Sequence, residues 1–249
     1  MALAPSLLTA DAKLSIERAG FYLIKDEETG DAGQRRGVGK GRRFARFYDA
    51  GYRTKTPEGL DFVIQNTIGD PDIGGIIKSI IKHPRWGYLR FYSDILSSDY
   101  AWFFHIRDRK NDHEAIHTLQ VQFWMPGSRA IFYAGSQLQS FEAGDPEKWG
   151  ILRAPVLHME RNGIVKTVED MPNGGYTIID SRLGWTCDKG KFMNIGFGTE
   201  DEVRSWDKMP LPDTVTLKAK VAELEAHGFR TNFTFEQYQQ SLDKEKEAK

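Results

Sequence analysis

The sequence predicts a mainly β protein, a sandwich or barrel with helices at its flanks. Three observations lead there. Between Tyr88 and Phe197 the apolar residues fall in short runs rich in aromatic and β-branched side chains. Turn chemistry such as Pro126-Gly127-Ser128 and Pro172-Asn173-Gly174-Gly175 separates these runs. Helical spacing occurs before and after this stretch.

In chain order, Thr9 to Ala19 sets Leu14 and Ile16 among polar residues ahead of Gly20, which suits a short helix with a glycine stop. Phe21 to Ile24 then reads as a strand. Residues 26–46 combine glycines with Arg35, Arg36, Lys40, Arg42, Arg43 and Arg46, and read as a solvated basic loop. Asp72 to His83 carries Ile73, Ile76, Ile77, Ile80 and Ile81 at helical spacing until Pro84 ends it. Strands are expected at Tyr88–Tyr92, Ala101–Ile106, Thr118–Met125, Ala130–Tyr133, Tyr176–Asp180 and Phe192–Phe197. A surface helix follows over residues 214–227, with Val215, Leu217, Val221 and Leu224 on one side and Gly228 as its stop.

At 249 residues the chain suits one domain, because β barrels and sandwiches reach this length as single units. Cys187 is the only cysteine, so an intrachain disulfide is excluded and a reducing, cytoplasmic setting is expected. The N-terminus lacks a basic segment and has an early Asp11, unlike a secretory signal. No apolar stretch is long enough to span a membrane as a helix. A formal net charge of -1 provides no global attraction for nucleic acid. Phe44, Phe47 and Tyr48 beside the basic loop offer stacking surfaces, yet such residues commonly begin a core, so nucleic acid is not the expected partner.

His113-Glu114-Ala115-Ile116-His117 matches a zinc-binding pattern that works only on a helix, whereas strand-like alternation follows it directly. A polar loop fits better. Gly37-Val-Gly39-Lys-Gly41 lacks the ending and framing of a phosphate cradle. His105-Ile-Arg-Asp108 closes the apolar run Ala101–Phe104, where a strand delivers polar side chains to a barrel mouth.

Together with Gly20–Lys25, Gln122-Phe-Trp leading to Tyr133-Ala-Gly-Ser-Gln137, Gly175–Arg182 and Met193–Phe197, this segment resembles the phytanoyl-CoA dioxygenase-like group of iron(II)/2-oxoglutarate oxygenases. The resemblance implies one jelly-roll domain over residues 1–249, a double-stranded β-helix. It also implies iron held by a His-x-Asp/Glu pair and a distal histidine, with 2-oxoglutarate as cosubstrate. Several positions depart from that pattern. Two residues separate His105 from Asp108, where strand alternation favours one. Gly184-Trp185-Thr186 stands where the distal histidine belongs, and only Lys189 or Lys191 lies near the place of the cosubstrate-holding arginine. The usual iron triad is therefore not expected. His105, Asp108 and His158 are the residues left for a metal.

The reading that results is an atypical jelly-roll enzyme, a tailoring activity of secondary metabolism, acting on a hydrophobic small molecule. Metal-independent isomerisation or cyclisation would suit it, as would metal-dependent oxidation with iron(II) and 2-oxoglutarate through an unusual site. Its catalytic candidates are His105, Asp108 and Arg129, and its substrate-binding candidates are Trp102, Phe104, Phe123, Trp124, Tyr133 and Trp185. The alternative is a non-catalytic subunit that binds a ligand or supports an active homologue as a homo- or heterodimer.

Overall fold

The computed structural model describes residues 7–26, 39–49, 51, 55–92, 99–105, 115–141, 151–226 and 228–237. Helix α1 (Leu7–Ala19) stops at Gly20, whose φ of 88° suits glycine. Strand β1 (Phe21–Lys25) follows, then helices α2 (Lys40–Asp49), α3 (Pro57–Asn66) and α4 (Pro71–Ile80). The β segment comprises β2 (Arg85–Tyr92), β3 (Tyr100–Phe103), β4 (Thr118–Trp124), β5 (Ser128–Ala134) and β6 (Leu152–Pro155). It continues through β7 (Val165–Met171), β8 (Gly175–Asp180), β9 (Gly184–Lys189) and β10 (Phe192–Gly198). Helix α5 (Glu200–Arg204), β11 (Met209–Pro212), α6 (Val215–Ala226), β12 (Arg230–Thr231) and β13 (Phe233–Glu236) complete the order.

A six-stranded sheet runs β1-β8-β4-β10-β2-β12, and a five-stranded sheet runs β6-β3-β9-β5-β7. Their pairings are antiparallel apart from β12 with β2. Both faces of the larger sheet are covered, so its central strands are buried at every position. Alternation divides them between two cores. Leu119, Val121 and Phe123 of β4, with Tyr176, Ile178, Met193, Ile195 and Phe197, pack against the helices. Ala12, Ile16, Phe44, Leu60, Ile76, Leu217 and Val221 meet them from the helical side. The helices expected around Ile73–Ile81 and Val215–Leu224 thus lie outside the barrel. The opposite residues face the smaller sheet, where Trp124, Phe132, Trp185 and Phe192 fill one end.

Helix α4 illustrates how local signals and packing agree. Asp70 caps it, accepting from the amides of Asp72 at 3.1 Å and Ile73 at 3.0 Å, and Pro71 occupies a first-turn position where no amide proton is needed. Ile73, Ile76 and Ile77 are fully buried by the resulting spacing, each worth roughly 1.5–3 kcal/mol.

The expected basic loop needs correction. Its residues 27–38 lie outside the described residues, but Lys40 onward is α2. Buried Asp26 caps that helix, accepting from the amides of Gly39 at 2.9 Å, Lys40 at 3.1 Å and Arg42 at 3.2 Å. Lys40 is itself buried, its ammonium 2.6 Å from the Asp70 carboxylate and 3.4 Å from Asn66 Oδ1. A charge with that company is a packed group, whatever its neighbours in sequence suggest. Phe44 enters the helical core, which settles its role as a core residue.

Candidate active site

The inward face of the larger sheet is ordered in rows, because directly opposed residues on adjacent strands share a level. At one end Trp124, Phe192 and Tyr92 stack, with ring centroids 4.5 and 4.7 Å apart. The next level runs Thr177, Gln122, Asn194 and Arg90. The level after that runs Ile179, Gln120, Gly196 and Tyr88. The interior therefore changes from aromatic to polar along the barrel.

Gly196 makes the polar end possible. A Cβ at this position would overlap the Tyr88 ring, which lies across the glycine to reach Gln120. Tyr88 Oη donates to Gln120 Oε1 at 2.7 Å and accepts from Asn194 Nδ2 at 3.0 Å. Asn194 Nδ2 also reaches Gln120 Oε1 at 2.9 Å, and Gln120 Nε2 donates to Ser181 Oγ at 2.7 Å.

Beside this network lies a cavity of about 250 Å³. Tyr88, Arg90, Gln120, Ser181, His105 and Asp207 provide its polar lining, and Phe104, Ile151 and Trp206 its apolar lining, with Tyr92 and Thr118 completing the wall. Trp206 follows α5 and sits over Gly87, where any side chain would collide with the indole. Its ring centroid is 5.5 Å from that of Tyr88. Burial pushes the Tyr88 phenol well above its ordinary pKa and the Tyr92 phenol up to about 12, against the opposing pull of Arg90. Both are therefore neutral near pH 7.

His105 and Phe104 are the two predicted site residues that line this cavity. The chain leaves β3 here, and both backbone amides donate to the Ser181 carbonyl, at 2.9 Å from His105 and 3.1 Å from Phe104. Asp108 lies outside the described residues. Arg129 is corrected: it is on the outer surface, paired with Asp170 at 2.8 Å, and that hydrogen bond raises its pKa. Trp102, Trp124 and Trp185 fill the barrel core rather than line the cavity. Phe123 faces the helices, since it adjoins Trp124 on one strand and must point the other way. Tyr133 belongs to a third cluster, with Phe103 and Phe141. His158 lies on a 3-10 turn, away from the cavity lining. Lys191 is held elsewhere by Tyr48, 3.2 Å from its hydroxyl, and Lys189 does not line the cavity either. His113 and Glu114 lie outside the described residues, and residues 115–117 lead without a helix into β4.

Sequence reasoning missed Tyr88, Arg90, Gln120, Ser181, Trp206 and Asp207. A signal for Gln120 and Gln122 was present, because glutamines alternating with apolar residues inside an expected strand mark a polar interior face.

No family model and no curated protein sequence matches the chain. Among solved structures it is similar to HygX from Streptomyces hygroscopicus with iron bound, at 10% identity and a TM-score of 0.51, covering 87% of this chain and 94% of that one. The likeness extends to HygX with nickel and 2-oxoglutarate bound, at 11% identity and a TM-score of 0.51, over 87% and 94% of the two chains. With nickel, 2-oxoglutarate and hygromycin B bound, HygX gives 10% identity and a TM-score of 0.50, over 84% and 92%. The fold is a double-stranded β-helix.

The sequence resemblance implies iron, which the HygX structure contains. Strands β3 and β9 are neighbours, with Trp102 opposite Trp185, and Phe104, next to His105, stacks on Trp185. His105 offers an imidazole there. Where the resemblance puts the distal histidine, the Trp185 indole is fully buried and stacked on Phe104 at 5.3 Å, and it has no lone pair for a metal. Among the described residues no three of His, Cys, Asp and Glu come together as a metal site. The described donor set does not fit a three-ligand iron centre.

Proposed function

We propose that this chain is an enzyme of small-molecule metabolism, related in fold to the iron/2-oxoglutarate oxygenases, that works in the cavity beside Tyr88 by positioning and proton transfer. The observation that carries this reading is the lining. An imidazole, a guanidinium, a carboxylate and two neutral phenols border about 250 Å³ together with an aromatic and aliphatic surface. The substrate is accordingly a compact, partly apolar molecule with polar groups. His105 at the mouth is the acid–base group, Arg90 holds negative charge, and Asp207 at the rim accepts from a donor on the substrate. Isomerisation or cyclisation needs only such groups. Tailoring of a secondary metabolite is supported by the structural likeness to HygX, one of whose structures holds hygromycin B.

A second reading, a subunit that binds the ligand without turning it over, draws on Trp185. Its indole, stacked on Phe104, stands where the sequence resemblance puts a metal-binding histidine. A small-molecule screen by thermal shift, followed by product analysis on the hits, separates the two. Under the enzyme reading His105→Ala retains binding but loses turnover by about 10²–10⁴-fold. Binding without any product favours the second reading. Hits indifferent to both Arg90→Ala and Trp206→Ala would rule out this cavity.

A further inference from the structure

We infer that Ser181 orients the molecule bound in this cavity as a hydrogen-bond donor, with its polarity set from the far end of the barrel by Trp124, so that the ligand presents a carbonyl-type oxygen to Ser181. The inference rests on the cavity being the ligand site.

Chains of amides and hydroxyls can usually run in either direction, because each member both donates and accepts. An indole cannot reverse. Trp124 Nε1 donates to Thr177 Oγ1 at 3.0 Å, filling one of that hydroxyl's two acceptor sites, and Thr177 gives its own proton to Gln122 Oε1, also at 3.0 Å. With its oxygen turned towards Thr177, Gln122 keeps Nε2 as a fully buried donor that has no other partner. Directly opposite on β10 is Asn194, whose Oδ1 is a fully buried acceptor that has none either. The two atoms do not hydrogen-bond to each other, but on opposed residues a donor beside an acceptor is electrostatically favoured, and reversing Asn194 would set two donors side by side.

That orientation of Asn194 commits its Nδ2 to Tyr88 Oη and Gln120 Oε1. Tyr88 spends its single proton on the same Gln120 oxygen. Gln120 Oε1 is thereby an acceptor twice over, and Nε2 is left to donate to Ser181 Oγ at 2.7 Å. Ser181 accepts, and its own proton has no acceptor among the described residues. The hydroxyl stands in the cavity wall with a proton to give. Trp124 acts through the chain as a positioning residue, while Ser181 touches the ligand.

Two measurements on the full-length protein test this. Side-chain amide NOEs in ¹⁵N-labelled protein read the polarity without any ligand: the Gln120 Nε2 protons should contact the Ser181 β protons and not the Tyr88 ring. Titration with cyclohexanone and with methylenecyclohexane, nearly equal in shape but different in the acceptor, reads the consequence. Cyclohexanone should bind about 3–10-fold more tightly, the size of one neutral hydrogen bond. Ser181→Ala should remove that preference and Ser181→Thr keep it. Trp124→Phe should weaken the preference while leaving methylenecyclohexane binding in place. Gln120 NOEs to the Tyr88 ring would overturn the inference alone, as would equal binding of the two fragments. Should the NOEs run as expected while neither fragment perturbs the cavity, it is the ligand-site reading that fails and the inference with it.

Discussion

Two glycines shape this site, and two buried titratable groups, one of them in its wall, couple the fold to pH. Gly196 gives its space to the Tyr88 ring and Gly87 to the Trp206 indole, so neither tolerates a side chain without displacing a cavity wall. Gly196→Ala should cost about 1–3 kcal/mol in urea unfolding, the usual range for overpacking, and should abolish ligand-induced stabilisation. Unchanged stability would mean that the ring has another place to go. Burial also pushes the Cys187 thiol up to about 12, as it does the Tyr92 phenol. A folded pKa above the unfolded value means that folding favours the protonated form. The contribution is complete below the ordinary values near 9 and 10. It is lost as pH rises from there through about 12. Urea midpoints should therefore decline over that interval, and Tyr92→Phe should flatten the decline. A variant that follows the native profile would show that Tyr92 does not cause it. At this scale the sequence misled where neighbouring aromatics were taken together: Phe123 and Trp124 cannot share a cavity, because a strand sends them to opposite faces.

Elements were legible in proportion to how far a single period governed them. Helix α4 was plain from its isoleucines and from Pro84, and β4, β8 and β10 from their aromatic and β-branched runs. Strand β7 was not, since its polar sequence runs along a sheet edge with much of it exposed. Strand β9 carries Asp188 and Lys189 at its end and was not among the expected strands. Helix α2 was hidden by its cations, and what fixes it is remote in sequence: Asp26 at its start, and Asp70 and Asn66 around Lys40. Asp70→Ala should thus cost about 3–5 kcal/mol, because it leaves the Lys40 ammonium buried without its counter-charge. The same substitution removes the α4 cap. Chemical denaturation of Asp70→Ala beside Asp70→Asn, which retains a cap but not the charge, apportions the two. A loss below about 0.5 kcal/mol, typical of exposed sites, would instead support the solvated basic loop first expected there.

For the molecule as a whole, a β sandwich or barrel was legible from alternation with turns along the central strands. The double-stranded β-helix entered through the family resemblance, and the sheet order β1-β8-β4-β10-β2-β12, which is not chain order, was not legible. The site was legible only in part. His105 and Phe104 end a recognisable strand, whereas Arg90, Ser181 and Trp206 meet them solely through sheet pairing and a late loop. Sequence spacing carries no trace of such meetings. Trp185, at the position where the sequence resemblance puts a histidine, is packed into the core. On the proposed reading, the chemistry is that of the cavity, and the described side chains do not supply three metal ligands. Anaerobic calorimetric titration of the purified protein with iron(II), with and without 2-oxoglutarate, tests this most directly. The expected result is no saturable one-to-one binding in either condition; tight stoichiometric binding that strengthens with 2-oxoglutarate would contradict it.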